Sequence, residues 1–377
     1  MQKKPAISNK PWPVQWLSGL RATAQAGVQW PGRLRERREF ADRELHPPRR
    51  VIAVNYGEVL RSGQMAGGKV KLLHLRERWP EQEQFNVLYL VSSTPPPAAL
   101  EMVRWAKARG AKFVWNQNGV GFPAWAGVRT GEINRPMSAL LQLADHVVYQ
   151  SEFCRESADR WLGAAAGPSS VLINPVDTAV FKPAPAARDP WRLLAAGTHY
   201  QPYRVLGALE TTRVLLDAGH RVELTVAGAM RWQGAEAEVS AAVARLRLAE
   251  HITIRPAFSQ EEAVRLYQSS HVLLHLKYLD PCPTVAIEAL ACGLPVIASR
   301  SGGMPELVGA DGGELLDVRG DWEHAAYPLP RRIAAAVARV MTDWPTASAA
   351  ARARAERLFR KESWVETHAR IFAEVLR

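Results

Sequence analysis

From Arg50 onward, short runs of β-branched and aromatic residues alternate with longer stretches of helical periodicity. The first runs are RVIAVNY (50–56), FNVLYLV (85–91), KFVWN (112–116), HVVYQ (146–150) and SVLI (170–173). Runs this continuously apolar suit strands buried on both faces, and strand–helix–strand alternation implies a parallel sheet. Between them lie amphipathic patterns such as Leu100 to Arg109, closed by Gly110 at the usual place for a helix C-terminus. FKPAPAARDP (181–190), with three prolines, breaks the pattern and reads as a linker. The alternation then restarts with WRLLAA (191–196), RVELTVA (221–227), HITIR (251–255), HVLLHL (271–276), PVIAS (295–299) and GELL (313–316). From Pro330 the pattern is helical to the end.

These elements predict two tandem, doubly wound, Rossmann-like α/β domains facing a central cleft. The expected divisions are an extension over 1–49, a first domain over 50–182, a linker over 183–190, a second domain over 191–360 and a last helix over 361–377 that crosses back to the first domain. In open parallel sheets ligands bind beyond the carboxyl ends of the strands, so the residues after each strand are the ones to inspect.

Composition narrows the class. With 47% hydrophobic and 23% charged residues, the 377-residue chain has the balance of a soluble globular protein of about two domains. No apolar stretch approaches the ~20 residues that span a bilayer. Three cysteines (Cys154, Cys282, Cys292) without paired spacing point to a reducing compartment rather than a disulfide frame or zinc site. The expected location is therefore the cytoplasm. The net charge is +11, of which +7 falls in residues 1–50. That arm, with Trp12, Trp16 and Trp30, reads either as a solvated leader or as a peripheral contact with an anionic membrane. Nucleic acid is not an expected partner.

DPCPTVAIEALACGLPVIASRSGGMPELVG (280–309) carries the chemistry. A loop follows the strand HVLLHL, and a helix is expected from Thr284 to Cys292. Its N-terminus would favour an anion, with Cys282, Thr284 and Val285 as N–H donors, since Pro281 and Pro283 have none. Glu288, one turn inside an apolar helix, calls for a specific partner. A carboxylate there can accept two hydrogen bonds from a vicinal diol such as a ribose. Asp280 lies at the mouth of the same pocket.

The stretch resembles the donor-site signature of GT-B glycosyltransferases, in particular family 4: an acid, seven residues, Glu, then Ala-x-Ala-Cys-Gly-x-Pro-Val-Ile and a Gly-Gly-x-x-Glu turn. The resemblance implies that Asp280 contacts the donor sugar and Glu288 the nucleotide ribose. Asp stands where the family has Glu, shorter by one methylene. LLAAGTHYQPYRVLGALE resembles the first strand–loop–helix of the family's donor domain, whose loop holds a diphosphate. By that likeness Gly197, Thr198 and Arg204 fall on the diphosphate loop. Thr198 replaces the family's Arg, Arg204 takes the place of its Lys, and Lys277 supplies a second cation. Growing charge on a diphosphate leaving group has to be stabilised by such groups. Asp280, Arg204 and Lys277 are accordingly the expected catalytic residues. MAGGKVKLLHL resembles the family's Gly-Gly loop, placing Gly67 and Gly68 on the acceptor side with Gln117, Asn118 and Gly119. The amides replace a family His, so no general base is assigned, and His74 and His199 are read as packing or hydrogen-bonding residues.

The implied function is transfer of a hexose from a nucleotide-sugar donor to a hydroxyl acceptor (a glycan, lipid-linked sugar or polysaccharide), with retention. No metal or other cofactor is expected, and no Asp-x-Asp motif is present. The alternatives are a nucleotide-sugar epimerase of the same fold and a degenerate nucleotide-sugar-binding protein.

Overall fold

In the computed structural model, residues 44–48, 50–57, 67–184, 189–255 and 258–377 are described. Most of the basic arm and the centre of the predicted linker lie outside them.

The first domain is a five-stranded parallel sheet of β1 (Val54–Asn55), β2 (Val87–Val91), β3 (Lys112–Gln117), β4 (His146–Tyr149) and β5 (Ser169–Val171), adjacent in that order. Its helices are α1 (Gly67–Arg78), α2 (Ala99–Ala108), α3 (Pro123–Ala126), α4 (Thr130–Leu141) and α5 (Glu152–Trp161). Strand alternation divides the core between the two faces. Leu88, Leu90, Phe113 and Trp115 pack with Met102 and Val103 of α2 and Leu140 of α4. Val87, Tyr89, Val91, Val114 and Val148 face the other way, onto Leu72 and Leu75 of α1.

The second domain holds β6 (Trp191–Ala196), β7 (Val222–Ala227), β8 (Ile252–Arg255), β9 (Val272–His275), β10 (Val296–Ser299) and β11 (Gly313–Leu316), all parallel, in the order β11-β10-β9-β6-β7-β8. The helices are α6 (Tyr203–Asp217), α7 (Ala235–Arg245), α8 (Gln260–Gln268), α9 (Thr284–Ala291), α10 (Met304–Val308), α11 (Pro330–Thr342), α12 (Trp344–Leu358) and α13 (Lys361–Val375). The order reverses between β6 and β9, and that crevice is where such sheets bind ligands. In the first sheet the described strands follow chain order without a reversal.

The last helix, α13, leaves the second domain and covers the open face of the first sheet. Trp364, Ile371 and Phe372 join the cluster of Val54, Tyr56 and Tyr89. The Phe372 ring meets Trp79 and Tyr89 edge-on at centroid distances of 5.1 and 5.9 Å. Outgoing and returning chains are strapped where they cross: Val176 N–H donates to Phe359 O (2.7 Å) and Lys361 N–H to Val176 O (3.1 Å). Among the described residues no helix is long and apolar enough to cross a membrane.

Phe372 is fully buried and belongs to a helix held mainly by its apolar face. Phe372→Ala is expected to cost about 3–5 kcal/mol, the usual range for a buried aromatic. A urea midpoint unchanged from the parent would show that α13 is not an anchor.

Candidate functional site at the interdomain cleft

The loop after β9 runs from Lys277 to Pro283 and meets the ends of the first-domain strands. Ser151 Oγ donates to Pro281 O (2.8 Å), and Asn174 Nδ2 to Cys282 O (3.2 Å). Leu279 adopts a left-handed conformation, φ 49°, which costs a non-glycine residue on the order of 1 kcal/mol or more. Its N–H donates to Ser301 Oγ (3.2 Å), and Asp280 O accepts from Gly303 N–H (2.9 Å). This explains the Gly-Gly turn. A Cβ on Gly303 would lie 2.0 Å from Pro281 O, and one on Gly302 (φ +62°) 2.5 Å from Asp280 O. Two bare backbones press the acid-bearing loop into place.

Asp280 is buried with both carboxylate oxygens engaged. Oδ1 lies 3.1 Å from Lys277 Nζ, and Oδ2 lies 3.0 Å from His275 Nε2. Burial opposes ionisation, but Lys277, the His275 hydrogen bond and Arg204 together hold this carboxyl well below its usual range. Burial also pushes His275 down despite the neighbouring carboxylate. We therefore read His275 as a neutral donor and Lys277 as the charge that keeps Asp280 ionised.

Glu288 sits in the second turn of α9, equally buried. Its partner is within the chain: Tyr267 Oη donates to Oε2 (2.8 Å), and Gln260 Nε2 reaches Oε1 at 3.4 Å. Burial raises Glu288 to about 7 against the pull of those two hydrogen bonds. A groove of about 460 Å³, lined by Val180, Phe181, Gln260, Glu261, Val264 and Arg265, reaches this carboxylate only through Gln260 and is not the cleft itself.

Arg204, expected on the diphosphate loop, is engaged by the backbone of that same loop. It is buried in the first turn of α6, and its guanidinium donates to Thr198 O (2.5 Å) and Ala196 O (3.3 Å). It thereby fixes the turn through Gly197 and Thr198 at the end of β6. Its buried Nε has no hydrogen-bond partner among the described residues. Thr198 is exposed and Lys277 half-buried. The first-turn N–H groups of Thr284 and Val285 are left without intrahelical partners, as at any helix start.

On the first-domain side the expected residues separate. Gln117 is fully buried, accepting from Trp115 Nε1 (2.7 Å) and donating to Gly119 O (2.8 Å). It stiffens the strand end and does not line the cleft. Asn118 is half-buried, bonded to Ser92 and Ser93. Gly119 faces the loop after β9, where an added Cβ would lie 3.2 Å from Pro281 Cγ. Gly67 and Gly68 open α1. His199 is buried against Ala227 O.

Sequence reasoning missed several residues. Glu306 accepts from the N–H groups of Glu152 and Phe153 (2.7 and 3.0 Å), so an acid of the second domain caps α5 of the first. Trp322 stacks on Phe153 (5.4 Å, 8°) and meets Phe122 and Trp161 edge-on. Lys71 is buried, with Nζ 2.5 Å from Asn116 Oδ1, 2.8 Å from Asn118 Oδ1 and 3.4 Å from Asn174 Oδ1. One signal was available: Lys71 and Leu75 are four residues apart, putting a lysine on the apolar stripe of α1.

Two parallel-sheet domains, a reversal point in the second and a capping loop facing the first define the GT-B class of fold. Comparison agrees: HepE of Anabaena, solved with UDP-glucose, superposes with a TM-score of 0.67 at 15% identity, over 86% of this chain and 100% of that one. Residues 179–356, most of the second domain, match the family model "Glycosyl transferases group 1". D-inositol 3-phosphate glycosyltransferase of Mycobacterium sp. (strain KMS) is 35% identical over 133 residues, 33% of this chain and 30% of its own length. MMP alpha-(1->4)-mannosyltransferase of Mycolicibacterium hassiacum is 28% identical over 39% of this chain and 36% of its own. The matches thus span about a third of these relatives.

The raised pKa of Glu288 has a consequence for stability. Between pH 4.5 and about 7 the folded chain holds a proton that the unfolded chain has lost. The contribution of Glu288 is therefore fully present below pH 4.5 and is lost as pH rises through 7. Glu288→Gln keeps the Tyr267 contact without the charge. Between pH 4.5 and 8 it is expected to gain on the parent by a few kcal/mol, since each pH unit separating the folded and unfolded titrations is worth about 1.4 kcal/mol. Parallel urea titrations at the two pH values check this, and an equal pH dependence in both proteins would refute it.

Proposed function

We propose that this chain is a glycosyltransferase that moves a hexose from a nucleoside-diphosphate sugar to a hydroxyl acceptor with retention of configuration. The observation that carries the reading is the pair Asp280 and Glu288, buried on one loop and helix at the reversal point of the second sheet, where that loop meets the first domain. The group 1 match, and the likeness to HepE solved with UDP, with UDP-glucose and with UDP and glucose, support a nucleotide-sugar donor.

In this reading the diphosphate lies at the start of α9, where unpaired N–H groups and the helix dipole favour negative charge. Lys277 neutralises charge that grows on the leaving group, worth most in a water-poor cleft. Arg204 holds the Gly197–Thr198 turn against that diphosphate. Asp280, kept ionised by Lys277, accepts from the hydroxyls of the donor sugar. Glu288 accepts from the ribose when Gln260, its weaker partner, gives way. Asn118 and Gly119 border the acceptor. The basic arm, most of it outside the described residues, is assigned the peripheral membrane contact.

Nucleoside diphosphate release from a panel of nucleotide sugars, with and without acceptor sugars, tests the reaction. Release that depends on acceptor is expected. Isomerisation of the sugar without release would make the chain an epimerase, and binding alone would make it a receptor. Losing one charged hydrogen bond costs ~1.5–3 kcal/mol, so Glu288→Ala should weaken donor binding by about tenfold or more. Lys277→Ala should reduce turnover. Calorimetric donor titration showing an unchanged Kd in folded Glu288→Ala overturns the ribose contact. Anionic vesicles should retain the full chain at low salt and lose it near 1 M, where the Debye length is ~3 Å. Equal retention of a chain starting at Arg50 would remove the arm's role.

A further inference from the structure

The buried ammonium of Lys71 is the least expected charge in the molecule. No described carboxylate lies within ion-pair distance of it. Its three donors meet three neutral oxygens, those of Asn116, Asn118 and Asn174. Burying an ammonium without a counter-charge is costly, and an apolar side chain of equal length would fill α1 at less expense. Packing therefore does not account for a lysine here.

What the ammonium joins is more informative. Asn118 belongs to the strand end that borders Gly119 and, through it, Pro281. Asn174 donates one amide hydrogen to Gln150 Oε1 (2.6 Å) and the other to Cys282 O (3.2 Å), in the loop of the other domain. Asn116 donates to Tyr89 Oη (2.8 Å), whose hydroxyl lies 3.0 Å from His368 Nε2 on α13. Burial pushes His368 down to about 3, so it is neutral. Its Nδ1–H then donates to Trp364 O (3.0 Å), and Nε2 accepts from Tyr89. One continuous polar chain runs from the loop after β9, through Lys71, to the helix that crosses between the domains.

We propose that Lys71 is a positioning residue of the transfer reaction, its ammonium holding the acceptor-side Asn118–Gly119 turn and, through Asn174, the donor-side Asp280–Pro283 loop in one register. The inference rests on the reading of the chain as a transferase, but the register it describes is measurable without catalysis. It also has a pH signature. An ammonium supplies three hydrogens to three acceptors, whereas a neutral amine supplies two and must release one asparagine. Burial lowers Lys71 to about 7. The groups facing it are the Cys154 thiol of α5, the Cys282 thiol of the loop and neutral His368 of α13. Burial raises both thiols, so neither titrates near neutrality. The register should therefore loosen as pH rises through 7.

Hydrogen exchange on the full chain, followed by mass spectrometry, tests this. The probes are the amides of Gly303 and Ala286, bonded to Asp280 O and Pro283 O. In Lys71→Met and in Asn174→Leu they should exchange about tenfold faster, the loss expected for one charge-assisted hydrogen bond. The double variant should be no faster than the singles, because both cut one link. With a productive donor and acceptor, Lys71→Met should lower kcat about tenfold while donor KM stays within about threefold, and the alkaline fall in kcat near pH 7 should vanish. Unchanged exchange in folded Lys71→Met, or additive effects in the double variant, overturns the proposal. If Lys71→Met does not fold, Asn174→Leu alone decides it by the same readout. If no nucleotide sugar is turned over, the function is refuted, while the exchange result still rules on the register.

Discussion

The architecture of the cleft depends on one close approach of backbone to backbone. The Gly302–Gly303 turn lies so near the Asp280–Pro281 peptide that neither glycine has room for a Cβ. This contact holds Leu279 in its left-handed conformation and sets where Asp280 and α9 begin. Everything polar on the second-domain side follows from that placement: the Lys277 and His275 contacts to Asp280, the direction of the helix N-terminus, and the two carbonyls that the first domain grips. A bulkier turn would move all of them together.

Charge in the cleft is arranged so that each buried group has a different kind of support. Asp280 has a lysine and stays ionised. Glu288 has a phenol and an amide, neither of which carries charge, and its pKa rises toward neutrality. Lys71 has, among the described residues, only asparagine oxygens. Burying charge is expensive, and a fully hydrogen-bonded but uncompensated group is held close to its titration point. Such groups near pH 7 cluster at functional sites. Here there is one in each domain, Lys71 in the first and Glu288 in the second.

The domains meet through few but varied contacts. Glu306 caps a helix of the other domain, Trp322 enters an aromatic cluster, Ser151 and Asn174 take carbonyls of the loop after β9, and α13 carries the chain back over the first sheet. Interfaces of this polar, patchwork kind let domains hinge more readily than a broad apolar interface does. In the proposed reaction, such hinging lets a donor enter and a nucleoside diphosphate leave.

Much of this was legible in the residues alone. Periodicity located the described strands of both sheets to within a few residues, because strands buried on both faces leave uninterrupted apolar runs. The helix from Thr284 and the acids at its start could be read because an acid inside VAIEALAC has no solvated explanation. The partners of those acids could not be read. Tyr267 lies 21 residues from Glu288, and nothing local pairs them. Arg204 was expected to grip a diphosphate, but sequence shows charge and not direction, and the fold turned its guanidinium onto the carbonyls of its own loop. Gln117 was drawn toward the cleft by its neighbours Asn118 and Gly119, yet a strand alternates sides, and the pleat sent it inward. Lys71 is the sharpest case. Its spacing from Leu75 marked it as out of place, but its meaning required Asn116, Asn118 and Asn174, which only the folding of separate strand ends onto one helix brings to a single point.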